Sequence, residues 1–389
     1  MSRMRLFYFA RIDLGIENAG SRHVLEFCRQ FAAMGHSVTL FVPDLGKRKS
    51  AEGFSVIYVP VLFPKPALTF FTFYFSLFFH FLYYYFKIRP EIVYTRHQQM
   101  EWIVTWLRLI FSYVYVVEIN GLSRVEWKIH SKPEWAFRVI YAMEWLVFHL
   151  ADKLVSVSAP IRDILCEDYG LKRDRFLVAS NGANAEVFRP MDPKECRKRL
   201  HLDEEGKYLV FIGSFQKWHG LHQVILAIPE LTKNIPGIHL LIVGDGPERA
   251  AIENLISRYN VKDYVTLYGE KPFEELPFYI NASDICLGTF TEKPGLRPLK
   301  IFDYMACGKP VVCNSVGGLD IFFNTYRAGV TLKSNDPRGW VDSIAELYND
   351  PQRMRDYGKN GREAVLKEFN WEIICRKIAE TLEAVHHSM

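Results

Sequence analysis

The run from Thr291 to Pro310, T-E-K-P-G-L-R-P-L-K-I-F-D-Y-M-A-C-G-K-P, gathers carboxylates, cations and a helix start in one place. Pro298 fits the first helical position, and Gly308 with Pro310 fits the stop. A helix N-terminus presents unpaired N–H groups and the positive end of its dipole, so anions settle there. The turn at Gly295 and Leu296, with Arg297 and Lys300 flanking the start, therefore reads as a seat for a phosphate or diphosphate. Glu292 before the turn and Asp303 one turn into the helix can each accept neighbouring hydroxyls of a polyol. Phosphate plus polyol describes a nucleotide sugar. A capped helix with solvated charges would carry the same residues, so support must come from the rest of the chain.

Other stretches place polar groups at the ends of predicted strands. Tyr208 to Gly213 is a strand pattern followed by S-F-Q-K-W-H-G, which offers Ser214, Lys217 and His219 to the same anion. Val265 to Tyr268 is a further strand pattern, leading into Gly269 and Lys271. Near the start, Arg5 to Phe9 reads as a buried strand and Ser21 to Met34 as a helix. Gly15 and Gly20, in the loop between them, let backbone approach a ligand. Their spacing is not the dinucleotide fingerprint, which argues against a nicotinamide or flavin cofactor. A strand at Ile92 to Tyr94 puts Arg96 and His97 at a sheet edge, as acceptor-side groups, with His97 the first histidine to test for catalysis. A hydrogen-bonded structural histidine is the competing reading for His97. The strand Tyr113 to Glu118 ends in V-E-I-N-G-L, with Asn120 just beyond it.

E-K-P-G-L-R-P-L followed by M-A-C-G-K-P-V-V resembles the signature of retaining glycosyltransferases of family 4, two glutamates seven residues apart before an M-A-x-G-x-P-V run. The middle departs from it: counted forward from Glu292 the second glutamate's slot holds Lys300, and counted back from Met305 it holds Asp303. The resemblance gives a ribose role to Asp303 and a diphosphate role to Lys300. The family's G-R-L-x-x-x-K-G pattern is altered too, with Ser214 and His219 in its Arg and Lys slots and Lys217 close by, so the phosphate charge would be met by Lys217, His219, Arg297 and Lys300 together. Asn120 stands where many members carry a histidine close to the donor sugar, which removes a general base there but keeps a hydrogen-bonding group, and the resemblance sets Gly269 and Lys271 beside the ribose or base. The implied fold is α/β, two doubly wound Rossmann-like domains facing across a cleft (glycosyltransferase-B), with the C-terminal helix returning to the first domain. The implied reaction moves a sugar from a nucleoside diphosphate to an acceptor hydroxyl with retention. Attack comes from the front face, with the leaving phosphate taking the acceptor's proton and Glu292 orienting donor hydroxyls. No Asp-x-Asp follows a strand, so neither a metal nor another cofactor is expected. The altered slots keep open a nucleotide-sugar epimerase and a non-catalytic nucleotide-sugar-binding assembly protein.

The elements that must position these groups fit the length. At 389 residues the chain is long for one core, and domains over 1–187 and 188–368 with a crossover helix over 369–389 are expected. A net charge of +4 is too small and dispersed for nucleic acid. Seven cysteines without metal spacing read as reduced, mostly buried thiols, and the N-terminus lacks a signal peptide's apolar core. Both suit a cytoplasmic protein. Segment 66–87 has no charge before Lys87 and is rich in Phe and Tyr. Spanning a bilayer would split the predicted sheet, so the segment is read as a buried crossover helix or one lying in the membrane interface. The tract Ser123 to Leu150 mixes Trp127, Trp135 and Trp145 with Arg124, Lys128, Lys132 and Arg138, again a membrane face or a helix with a solvated side. Together these predict peripheral contact with the inner face of the membrane and a lipid-linked or cell-envelope glycan as acceptor.

Overall fold

The computed structural model describes residues 3–16, 18–49, 52–62, 66–98, 102–123, 134–291 and 298–388. The chain forms two compact units, Met1–Ser180 with Glu372–Met389, and Asn181–Trp371. Sequence alone puts the divisions at 187 and 368.

The first unit holds a sheet of seven parallel strands: β1 (Arg5–Phe9), β2 (Ser37–Asp44), β3 (Ser55–Pro60), β4 (Ile92–Arg96), β5 (Val114–Ile119), β6 (Lys153–Ser156) and β7 (Phe176–Val178). Its spatial order is β3-β2-β1-β4-β5-β6-β7. Parallel neighbours cannot be joined by a hairpin, so helices cross between them and cover both faces. That double burial is why β1 (RLFYF) and β5 (VYVVEI) read as unbroken apolar runs rather than alternating ones. The helices are α1 (Ala19–Ala33), α2 (Pro66–Ile88), α3 (Trp102–Arg108), α4 (Glu134–Leu150) and α5 (Ala159–Tyr169). A capping box starts α1: the Asn18 side chain accepts from the Gly20 and Ser21 N–H groups, and Ser21 Oγ accepts from Asn18 N–H at 3.0 Å. Phe73, Tyr74, Leu77 and Phe81 pack α2 onto the sheet through Phe7, Phe41 and Val93. Segment 66–87 is thus a crossover helix on that side. Among the described residues no helix is long and apolar enough to cross a membrane.

The second unit repeats the plan with α6 (Pro193–Arg199), β8 (Lys207–Ile212), α7 (Leu221–Asn234), β9 (Ile238–Val243), α8 (Arg249–Arg258), β10 (Val265–Leu267), α9 (Leu276–Ala282), β11 (Ile285–Gly288), α10 (Leu299–Ala306), β12 (Val311–Cys313), α11 (Leu319–Tyr326), β13 (Gly329–Thr331), α12 (Pro337–Tyr348) and α13 (Pro351–Ala364). The six strands are parallel, in the order β10-β9-β8-β11-β12-β13. The last helix, α14 (Trp371–His387), belongs to the first unit. All seven cysteines are free, and all but the half-buried Cys166 are buried.

Three features depart from the sequence expectation. The strand β3 lies in a stretch the pattern leaves unassigned, and its residues are mostly half-exposed, which weakens the apolar signal. The short α6 starts at an Asp192 cap inside a stretch that reads only as charged linker. Pro298 is the N-cap of α10, with extended backbone, rather than its first helical residue.

The carboxyl ends of β8 and β9 pass so closely that glycine is required. A Cβ on Gly244, where φ is +136°, would lie 2.1 Å from the Gly213 carbonyl oxygen. Gly244→Ala is expected to cost roughly 2 kcal/mol or more, read from urea unfolding as a lowered midpoint.

Candidate functional site

In each sheet the strand order reverses once, between β1 and β4 in the first and between β8 and β11 in the second. Loops leaving the carboxyl ends of such a pair diverge to opposite faces and open a crevice where ligands bind in doubly wound sheets. The candidate residues gather at these two places.

In the second unit, the loop after β8 carries Gly213, Ser214, Lys217 and His219, and the chain after β11 leads to α10 with Lys300 and Asp303. The two are tied together: Thr291 donates both its N–H (2.8 Å) and its Oγ–H (3.0 Å) to the Trp218 carbonyl. Tyr304 Oη accepts from Ile212 N–H at 2.8 Å, fixing α10 against the end of β8. Lys300 points from the first turn of α10 toward that end. Its Nζ lies 4.1 Å from the Phe211 ring centre and 5.3 Å from that of Phe290, and a Cβ on Gly213 would come within 2.6 Å of it. Among the described residues Lys300 Nζ is buried with no hydrogen-bond partner. Burial pushes its pKa down to about 7. The aromatic faces offset part of the lost hydration, but no carboxylate among the described residues pairs with it.

His219 differs from the expectation of a second positive charge. Burial first, and the Lys300 ammonium second, push its pKa down to about 3, so the ring is neutral at physiological pH. Its Nδ1–H donates to the Ser214 carbonyl at 2.5 Å, which leaves Nε2 as an acceptor. Ser214 and Lys217 are exposed, and Asp303 is buried at 3% exposure on α10. Gly269 sits beyond β10, at the sheet edge; its carbonyl accepts from Gly244 N–H at 2.8 Å, and Lys271 follows, half-buried. Glu292, Gly295, Leu296 and Arg297 lie outside the described residues.

In the first unit a buried carboxylate organises the switch point. Glu118, 2% exposed near the end of β5, has His23 Nε2 of α1 at 2.7 Å and accepts from Asn120 Nδ2 at 2.5 Å and Tyr8 Oη at 3.3 Å. Burial alone would raise its pKa; His23, with Arg96 and Asn120 behind it, outweighs burial and holds the carboxyl at about 2. Asn120, the expected sugar-side group, is thus engaged by Glu118. Arg96 ends β4, and its Nη1 is buried with no hydrogen-bond partner among the described residues. His97 is in a second buried pair: its Nε2 meets Glu144 Oε1 of α4 at 2.8 Å, with side chains 5% and 2% exposed. Tyr169 donates to Glu144 Oε2 at 2.5 Å, and Ser123 donates to Oε1. His97, just past the end of β4, is thus hydrogen-bonded within the first unit. Gly15 lets the loop after β1 pass the one after β2, since a Cβ there would lie 2.4 Å from Lys47 Cβ, and Gly20 is in the first turn of α1. His23 is one of several polar residues in an amphipathic helix and Glu144 lies in a largely apolar one, and no local signal pairs either with a partner far along the chain.

Two family models cover most of the chain. The model for glycosyltransferase family 4 matches residues 20–187, and that for glycosyl transferases group 1 matches residues 192–364. A D-inositol 3-phosphate glycosyltransferase of Thermobispora bispora is 29% identical over 273 residues, 67% of this chain and 62% of that protein. The chain therefore spans about six tenths of that relative. The sucrose-phosphate synthase structure from Thermosynechococcus elongatus superposes with a TM-score of 0.83 at 23% identity, over the whole of both chains. The Anabaena HepE complex with UDP-glucose does so with a TM-score of 0.77 at 15% identity, covering 98% of this chain and all of that one. At these identities the structural likeness is one of fold, the glycosyltransferase-B fold.

Two outcomes follow from the charges. A bound diphosphate raises the pKa of Lys300 from about 7 toward its ordinary 10.5, so binding above pH 7 takes up a proton and weakens as the pH rises. Calorimetry with UDP, GDP and ADP at about pH 8 in two buffers of different ionisation enthalpy should show that uptake. Lys300→Met should abolish it while raising Tm, because a buried cation with no partner among the described residues is removed. For Glu118 the folded pKa lies below its ordinary 4.5, so its stabilisation is complete above that value and is lost as pH falls toward about 2. His23→Ala should cost roughly 2–3 kcal/mol at neutral pH and move the acid-unfolding midpoint upward, read by circular dichroism.

Proposed function

The chain belongs to the group 1, family 4 glycosyltransferases, and on that premise we propose that it moves a sugar from a nucleoside diphosphate to an acceptor hydroxyl with retention at the anomeric carbon. The observation that carries the donor half is Lys300: a buried ammonium with no hydrogen-bond partner among the described residues, at the β8/β11 switch point. A charge held in that state is costly in the free protein and is relieved by an anion. It also sits where the family's loop cations are missing, since Ser214 and His219 occupy their positions.

In this reading the bond from the anomeric carbon to the diphosphate breaks as the acceptor oxygen attacks from the same face. The departing phosphate oxygen takes the acceptor's proton. Lys300 is placed to stabilise the negative charge that develops, with Lys217, Arg297 and the first N–H groups of α10 contributing. Glu292 orients donor hydroxyls and stabilises the oxocarbenium-like sugar, and Asp303 serves the ribose. No metal takes part in this scheme. The acceptor is a lipid-linked or cell-envelope glycan reached at the membrane's inner face, a reading supported by the aromatic surface of α2. The buried Arg96 Nη1 at the end of β4 supports an acceptor contact there. A nucleotide-sugar-binding assembly protein is the second reading, favoured by the engagement of Asn120 with Glu118 and by the neutral His219.

Glu292→Ala separates the two. The catalytic reading expects turnover of a matched donor to fall by roughly two orders of magnitude or more while nucleotide affinity stays within a few-fold. Unchanged turnover with donor still bound would remove the chemistry from this site.

A further inference from the structure

Three of the helices that cover one face of the first sheet expose a second apolar side. Phe73, Tyr74, Leu77 and Phe81 of α2, Ile103, Val104 and Leu107 of α3, and Val147 and Phe148 of α4 share one core cluster with the sheet, so all three lie on its same face. Their opposite sides hold few polar groups. On α2, Phe71, Phe75, Phe79, Tyr83 and Phe86 recur at helical spacing and are between 55% and 65% exposed. The end of α3 adds Trp106 (53%), the turn after it Leu109 (59%) and Ile110 (74%), and α4 adds Trp135 (71%), Val139 (53%) and Trp145 (45%). The stripes adjoin. Phe86 lies 5.8 Å from Phe111, next in sequence to Ile110, and the Arg108–Asp152 pair, at 3.3 Å, ties the end of α3 to the end of α4. Soluble chains rarely leave so many large apolar side chains together in water.

We propose that α2, the turn after α3 and α4 form one bilayer-docking face that selects anionic headgroups. The choice of occupant rests on charge. Among the described residues 71–89, 103–112 and 135–149, every exposed charged side chain is a cation: Lys87, Arg89 and Arg138. Lys87 Nζ sits 5.7 Å from the Tyr83 ring centre, at the border of the aromatic stripe. Aromatic rings bordered by cations suit the headgroup zone, with Phe side chains entering the acyl boundary and the cations meeting lipid phosphate. Two copies of this chain placed face to face would set like charges against one another, with no exposed carboxylate among those described stretches to pair them. The helix α2 lies along the surface, since no described helix crosses a membrane. This deepens the proposed function by naming the partner of its membrane contact; nucleotide binding in the other unit does not depend on it.

The test is flotation of the full chain with vesicles of phosphatidylcholine alone and with about 30 mol% phosphatidylglycerol. The expected result is binding to the anionic vesicles, weakened roughly tenfold or more by Phe79→Glu with Trp145→Glu and by added salt. Both positions are exposed, so Tm and nucleotide affinity should stay as in the parent. Absence of vesicle binding, or binding that survives the double substitution, would overturn the proposal. A parent dimer that the substitutions split, without vesicle binding, would also overturn it and give the face to a second copy. Loss of nucleotide binding in the parent would instead count against the function.

Discussion

Everything in this molecule follows from strands that run parallel and are buried on both faces. Such strands cannot turn back on themselves, so each connection crosses over a face as a helix, and functional loops collect at the carboxyl edge. Winding in both directions from a central strand produces one reversal of order per sheet, at β1/β4 and at β8/β11. Loops part there, and polar side chains can enter an interior otherwise closed by Phe, Tyr and Val. The two reversals bring together residues far apart in the chain, such as His23 with Glu118 and Phe211 with Lys300.

The two sites resolve the cost of buried charge in opposite ways. Glu118 is buried, yet its pKa falls, because His23 first, then Arg96 and Asn120, outweigh the burial that would raise it. Lys300 is buried with two aromatic rings and no acceptor among the described residues, so its pKa falls toward neutrality. A satisfied buried ion stiffens a scaffold, whereas an unsatisfied one is a reservoir of binding energy for a counter-ion. By this contrast Glu118 is satisfied within its own unit, whereas Lys300 has no partner among the described residues, which is what the proposed anion would supply. The neutral His219 beside Lys300 fits that proposal, since a second fixed charge there would deepen the cost in the free protein.

Much of this was legible from local pattern. Buried strands read as apolar runs, and the helix read over Ser21 to Met34 with its Gly35 stop is found at Ala19–Ala33, two residues earlier because the Asn18 cap starts it. The short strands β3 and β13 and the helix α6 did not stand out, because three to seven residues with half-exposed side chains carry too little periodicity. At the sites, sequence supplied the residue types and the strand ends but not the partners. His97 looked available until Glu144, forty-seven positions on, occupied its Nε2. His219 looked like a cation until burial and Lys300 removed its charge. Lys300 itself was found by counting along a signature, but its burial over Phe211 depends on packing between α10 and β8.

The central claim is that Lys300 anchors a nucleoside diphosphate in the second unit. Its most direct test is a thermal-shift screen of the folded protein against UDP, GDP, ADP and their common sugar conjugates, with Lys300→Ala run alongside. The account predicts that one nucleotide raises Tm, since a ligand at about a hundred times its Kd adds about 2.7 kcal/mol, and that the substitution abolishes the shift. A folded protein that none of these ligands stabilises, or a shift that Lys300→Ala leaves intact, would contradict it.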